Sequence, residues 1–85
     1  MKTALITGAT SGIGKATAEL LATQDYRLII CGRNVDVLSQ MKTDLSATTE
    51  IFTLNFDIRE FSQVETAINS LPENWKNIDV LVNNA

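Results

Sequence analysis

Hydrophobic and polar positions run along the chain in blocks whose period switches repeatedly between strand and helix. Thr3-Ala4-Leu5-Ile6 is a short apolar run that stops at a glycine cluster, the pattern of a strand buried on both faces. From Ile13 the period is helical. Ile13, Thr17, Leu20 and Leu21 recur on one side, while Lys15, Glu19 and Gln24 are placed to face water. Tyr26 through Cys31 reads as a second strand, broken by Gly32. Asn34 is placed to cap a second helix, in which Val35, Leu38, Met41, Lys42 and Leu45 recur at three- and four-residue steps. After the polar loop Ser46–Thr49, Glu50 through Phe56 is rich in β-branched and aromatic residues and predicts a third strand. Ser62, with Glu65 three positions later, predicts a capping box for a third helix. Its apolar stripe is Val64, Ala67, Ile68 and Leu71, and Pro72 marks its end. Ile78 to Val82 is a fourth strand.

Four strands separated by three helices predict an α/β fold with a doubly wound parallel sheet, β-α-β-α-β-α-β, and right-handed crossovers. The expected strand order is 3-2-1-4, with the first two helices on one face and the third on the other. At 85 residues the chain is shorter than a usual domain of roughly 100–150 residues, and it stops directly after a strand. Residues 1–85 are therefore expected to be the N-terminal part of a single domain. Its fourth strand is expected to be an exposed edge prone to self-association.

Composition narrows the class. A hydrophobic fraction of 45% with 20% charged residues and one proline excludes disordered and collagen-like chains. The net charge of −3 supplies no basic footprint, so neither nucleic acid nor an anionic membrane is an expected partner. A single cysteine, Cys31, cannot form an internal disulfide. Without histidine, neither a zinc site nor a His-dependent dyad is expected. The apolar run after Lys2 is too short for a secretory leader, and no segment is long enough to span a bilayer, so the cytoplasm is the expected location.

Three of the four glycines lie in Thr7-Gly8-Ala9-Thr10-Ser11-Gly12-Ile13-Gly14, between the first strand and the first helix. A diphosphate placed there would meet backbone N–H donors and the positive end of the helix dipole. Gly8 and Gly12 let main chain approach a phosphate, and Gly14 lets the helix pack closely. Thr10 and Ser11 add hydroxyl donors. No Gly-Lys-Ser/Thr follows, which excludes a P-loop. In an NAD site an acidic residue about 20 positions further on holds the ribose 2′-hydroxyl. Here Gly32 stands at that place and Arg33 follows, a guanidinium suited to a 2′-phosphate, so NADP is favoured over NAD. Arg33 is otherwise a solvated surface charge. Asp57, after the third strand, could accept from an adenine amino group with the Ile58 N–H donating to the ring, or could be a turn aspartate. Asn83-Asn84-Ala85 could border a ribose or could be an ordinary turn.

Together these segments resemble, over the whole chain, the N-terminal half of a classical short-chain dehydrogenase/reductase. The resemblance is carried by the Thr7–Gly14 loop, Arg33, Asp57 and Asn83-Asn84-Ala85. Leu71 through Asp79 is similar to one branch, the NADP-dependent serine/3-hydroxy acid dehydrogenases. The resemblance implies a Rossmann-type domain that binds NADP through Gly8, Gly12 and Gly14, with Ile13 giving a backbone donor. It implies that Asp57 and Ile58 flank the adenine and that Asn83, in the segment ending at Ala85, borders the ribose. It implies an oxidoreductase interconverting an alcohol and its carbonyl, with a small 3-hydroxy acid or serine-like molecule as the substrate, and a homo-oligomer. The family's catalytic Tyr-x-x-x-Lys has no counterpart, because the single tyrosine, Tyr26, is followed four residues on by Ile30. No serine or asparagine matches the other catalytic positions. No catalytic residue is assigned, and this chain alone is expected to be inactive. The alternative is a non-catalytic dinucleotide-binding module or redox sensor. A flavodoxin-like or receiver-type domain fits poorly, because the first strand ends in Thr7-Gly8 rather than in acidic residues.

Overall fold

The computed structural model describes residues 1–84. Its elements follow in the order β1 (Lys2–Thr7), α1 (Gly12–Ala22), β2 (Tyr26–Gly32), α2 (Val35–Leu45), β3 (Ile51–Asn55), α3 (Phe61–Asn69) and β4 (Val80–Asn83), with one 3-10 turn at Glu73–Trp75. The four strands form one parallel sheet in the order β3-β2-β1-β4, as the alternation predicts. Leu5 of β1 stands beside Ile29 of β2 on one side and Leu81 of β4 on the other.

Successive side chains of a strand point to opposite faces, and here both faces of the central strands are covered. Ala4, Ile6, Leu28 and Ile30 pack under α1 and α2 with Ala18, Ala22, Leu38 and Met41. Leu5, Ile29, Cys31, Leu54 and Phe56 pack on the other face with Leu71 and Trp75, joined by Val64, Ala67 and Ile68 of α3. The two-and-one distribution of helices is the expected one. Where the chain returns to β4, the Arg27 guanidinium lies over the Trp75 ring at 4.2 Å and its Nε donates to Thr3 Oγ1 at 2.7 Å. The Thr3 N–H donates to Asp79 Oδ2 at 2.9 Å. These contacts pin the segment before β4 to the N-terminal end of the sheet. Among the described residues no helix is long and apolar enough to cross a membrane.

Two local expectations are corrected. The buried face of α1 is Gly14, Ala18 and Ala22, whereas Ile13 and Leu20 are 73% and 60% exposed. The cause is the closeness of the helix to its own entry loop. A Cβ on Gly14 would stand 2.1 Å from the Gly8 carbonyl oxygen, so the helix takes small residues where it meets the loop; Ile13 and Leu20 turn outward, while Leu21 packs half-buried against the core. The capping box at Ser62 does not form. The helix begins at Phe61, which puts Ser62 inside its first turn, and the N-cap is Glu60 without a side-chain bond. A turn starts this helix instead: the Glu60 N–H donates to the Asp57 carbonyl at 2.9 Å, and Gln63 Oε1 accepts from the Asp57 N–H at 3.2 Å. By contrast the Asn34 cap is present, its Oδ1 accepting from the Val37 N–H at 3.1 Å.

Candidate cofactor-binding site

The carboxyl ends of β1, β2 and β3 open together into one cleft of about 820 Å³, with Asn84 after β4 on its wall. That is within the size range of small-molecule sites, roughly 300–1,000 Å³. The cleft also lies at the point where the chain order of the sheet reverses on either side of β1, the usual ligand position in open parallel sheets.

The loop from Gly8 to Ser11 is its floor. Gly8 has φ 60°, the left-handed region that favours glycine. The Ala9 N–H donates to the Cys31 carbonyl at 2.9 Å and ties the loop to the end of β2. Ser11 caps α1. Its hydroxyl donates to the Gly8 carbonyl at 2.8 Å and accepts from the Gly14 N–H at 3.3 Å and from Asn84 Nδ2 at 3.1 Å. In this arrangement the Ser11 hydroxyl shapes the loop at the head of α1. Among the described residues the N–H groups of Gly12 and Ile13 and the hydroxyl of Thr10 have no partner. A Cβ on Gly12 would meet nothing within 4 Å, so packing places no demand for glycine there.

On the β2 side, Asn34, Val35 and Arg33 form the wall. Asn55, the last residue of β3, donates from Nδ2 to both the Gly32 and Arg33 carbonyls at 3.0 Å and holds that turn in place. Asp57 follows. Its Oδ1 accepts from the Arg59 N–H at 3.0 Å, so it is a turn aspartate by geometry. Its Oδ2 also accepts from Arg59 Nη2 at 2.9 Å and lies 3.8 Å from Arg33 Nη1. Arg59, through its side-chain and backbone hydrogen bonds, pulls the Asp57 carboxyl from 3.8 down to about 2. Both carboxylate oxygens therefore already have a partner, where the sequence left an acceptor for adenine. The Ile58 N–H has no partner among the described residues.

The structure thus brings Gly8, Thr10, Ser11, Arg33, Asp57 and Ile58 onto one cleft, with Gly12, Ile13 and Gly14 at the adjoining head of α1. Asn83 does not line it. Asn83 ends β4 with its Oδ1 accepting from Thr7 Oγ1 at 3.1 Å, and the neighbouring Asn84 reaches the wall instead. Ala85 lies outside the described residues. Arg59 and Asn55 were missed from sequence, since a charged residue in a polar loop and an asparagine at a strand end carry no motif.

Residues 2–85 match the family model described as short chain dehydrogenase. The chain belongs to the short chain dehydrogenase family. It is 42% identical over 83 residues to a probable NADP-dependent dehydrogenase of Haemophilus influenzae, covering 98% of this chain and 32% of that protein. It is 36% identical over 81 residues to the NADP-dependent 3-hydroxy acid dehydrogenase YdfG of Escherichia coli K12, covering 95% of this chain and again 32% of the relative. Serine dehydrogenase from Escherichia coli superposes with a TM-score of 0.86 at 32% identity, over 93% of this chain and 35% of that one. The chain therefore spans about a third of the length of these short chain dehydrogenases. Two of these names, a 3-hydroxy acid dehydrogenase and a serine dehydrogenase, are those of the branch to which Leu71–Asp79 is similar.

Proposed function

We propose that residues 1–85 supply the adenosine and diphosphate half of an NADP site, as the N-terminal part of a single Rossmann-type domain. The whole protein would be an oxidoreductase interconverting an alcohol and its carbonyl. When bound, NADP supplies the hydride acceptor, or NADPH the donor. The chain's own residues bind and orient. Gly8, Gly12 and Ile13 present main chain to the diphosphate at the positive end of α1. Thr10 offers a hydroxyl, Ser11 and Gly14 hold the loop against the helix, and Arg33 meets the 2′-phosphate. Ile58 and Asp57 border the adenine, and Asn84 on the cleft wall borders the ribose side. A small 3-hydroxy acid or serine-like substrate is supported by the names of the relatives. No Tyr-x-x-x-Lys occurs in these 85 residues, so turnover by this chain alone is not expected. A homo-oligomer without membrane or nucleic-acid partner, in the cytoplasm, completes the reading.

One observation carries it. Gly12 faces open space, and among the described residues the two N–H groups at the head of α1 have no acceptor. A glycine that packing does not need, beside unpartnered donors, fits a ligand that approaches the backbone closely. Alanine at the two helix glycines separates ligand from packing. Gly12→Ala should leave the unfolding midpoint nearly unchanged and weaken NADPH binding by about tenfold or more, the loss of one charge-assisted hydrogen bond. Gly14→Ala, whose Cβ would strike the Gly8 carbonyl oxygen, should cost about 1–3 kcal/mol of stability in denaturant titration. Undiminished NADPH binding by Gly12→Ala, or no binding by the unmutated chain, would overturn the proposal.

A further inference from the structure

Beyond Arg33, the cleft holds a second guanidinium that the dinucleotide reading leaves unused. Arg59 lies on the same wall, two residues past Asp57, and its side chain is 72% exposed, as Arg33's is 65% exposed. Both approach one oxygen, Asp57 Oδ2, Arg59 at 2.9 Å and Arg33 at 3.8 Å. One carboxylate balances one guanidinium. Asp36, also on this cleft, makes no ion pair with either arginine among the described residues. Two planar donor forks thus converge on a single carboxylate while both stay largely exposed to solvent, with Asp36 on the same cleft and Glu60 beside Arg59 as the further anions. Guanidinium pairs of this kind match the oxygens of a phosphate dianion. Asp57 fixes the position of Arg59 from both sides, by its backbone N–H and by its side chain, so little freedom remains to be lost when an anion binds.

We propose that Arg59, oriented by Asp57, is the second basic group of a two-arginine seat for the 2′-phosphate and helps to set the preference for NADP. The inference rests on the dinucleotide reading above. In it Asp57 acts as a positioning residue that holds Arg59, a role different from reading the adenine amino group.

The test is binding of two probes to the full 85-residue chain by calorimetry: adenosine 2′,5′-bisphosphate, and adenosine 5′-monophosphate, which lacks the 2′-phosphate. Arg59→Gln keeps the length and removes the charge. It should weaken the bisphosphate about tenfold and change the monophosphate by less than about twofold. It should also flatten the salt dependence of bisphosphate binding, while Arg59→Lys should recover part of the loss. Asp57→Asn should reduce bisphosphate affinity without further loss in the double variant Asp57→Asn/Arg59→Gln, because the two residues act as one unit. Thermal melting of each variant confirms that it folds. An unmutated chain that prefers the bisphosphate, with Arg59→Gln showing the same preference, overturns this inference alone. An unmutated chain that shows no preference overturns the NADP reading and this inference with it.

Discussion

At the scale of single residues, two side chains carry sharp pH signatures. Cys31 is buried at the end of β2, and burial pushes its thiol from 9.0 up to about 12. The thiolate is the reactive form, so Cys31 should resist a thiol reagent at neutral pH and react at the ordinary rate once the chain is unfolded. Because the raised value belongs to the folded state, the stability tied to this group is complete below about pH 9 and is lost as the pH rises toward 12. A denaturant series across that range measures it. Asp57 runs the other way. Its value is depressed to about 2, so its contribution is present above pH 3.8 and is lost as the pH falls through about 2. Carboxyl NMR titration should place the Asp57 midpoint well below the ordinary aspartate value of 3.8. Burial and partners of this kind are invisible in sequence. The sequence leaves Asp57 equally a turn residue or an adenine acceptor, and the contacts Arg59 makes by folding back onto it are not legible there.

At the scale of elements, α1 shows where periodicity misleads. A stripe of large apolar residues normally faces the core, because burial removes most area from water there. In α1 the stripe through Ile13 and Leu20 faces solvent, and the side with Gly14, Ala18 and Ala22 is packed. Closeness of approach outweighs size. Ala18→Leu should therefore cost about 1–3 kcal/mol by overpacking, whereas Leu20→Gln should change stability by less than about 0.5 kcal/mol. Chemical denaturation of the two variants reads the difference, and the opposite ranking would restore the sequence-based face. The cap of α2 was legible because Asn34 bonds within its own turn. The start of α3 was not, since its determinants, Asp57 and Gln63, lie six residues apart and meet through a turn.

For the whole molecule, β4 is an outer strand of the described sheet, and its Leu81 is 66% exposed on the face opposite α1 and α2. An apolar strand edge is a template for pairing with another chain. The 85-residue chain should self-associate at micromolar concentrations in sedimentation velocity, and Leu81→Lys should shift it toward monomer. A wild-type chain that stays monomeric across that range would remove this expectation. The alternation of periods by itself determined the four strands, the three helices, the parallel sheet and the place of the glycine loop. Each of these follows from local spacing plus the handedness of the crossover. Only the tertiary structure decided which side of α1 is buried, that Ser11 bonds back to Gly8 and across to Asn84, and that Arg33, Asp57 and Arg59 converge on one cleft. Those outcomes depend on distances between segments far apart in the chain, and spacing along the sequence carries no record of them.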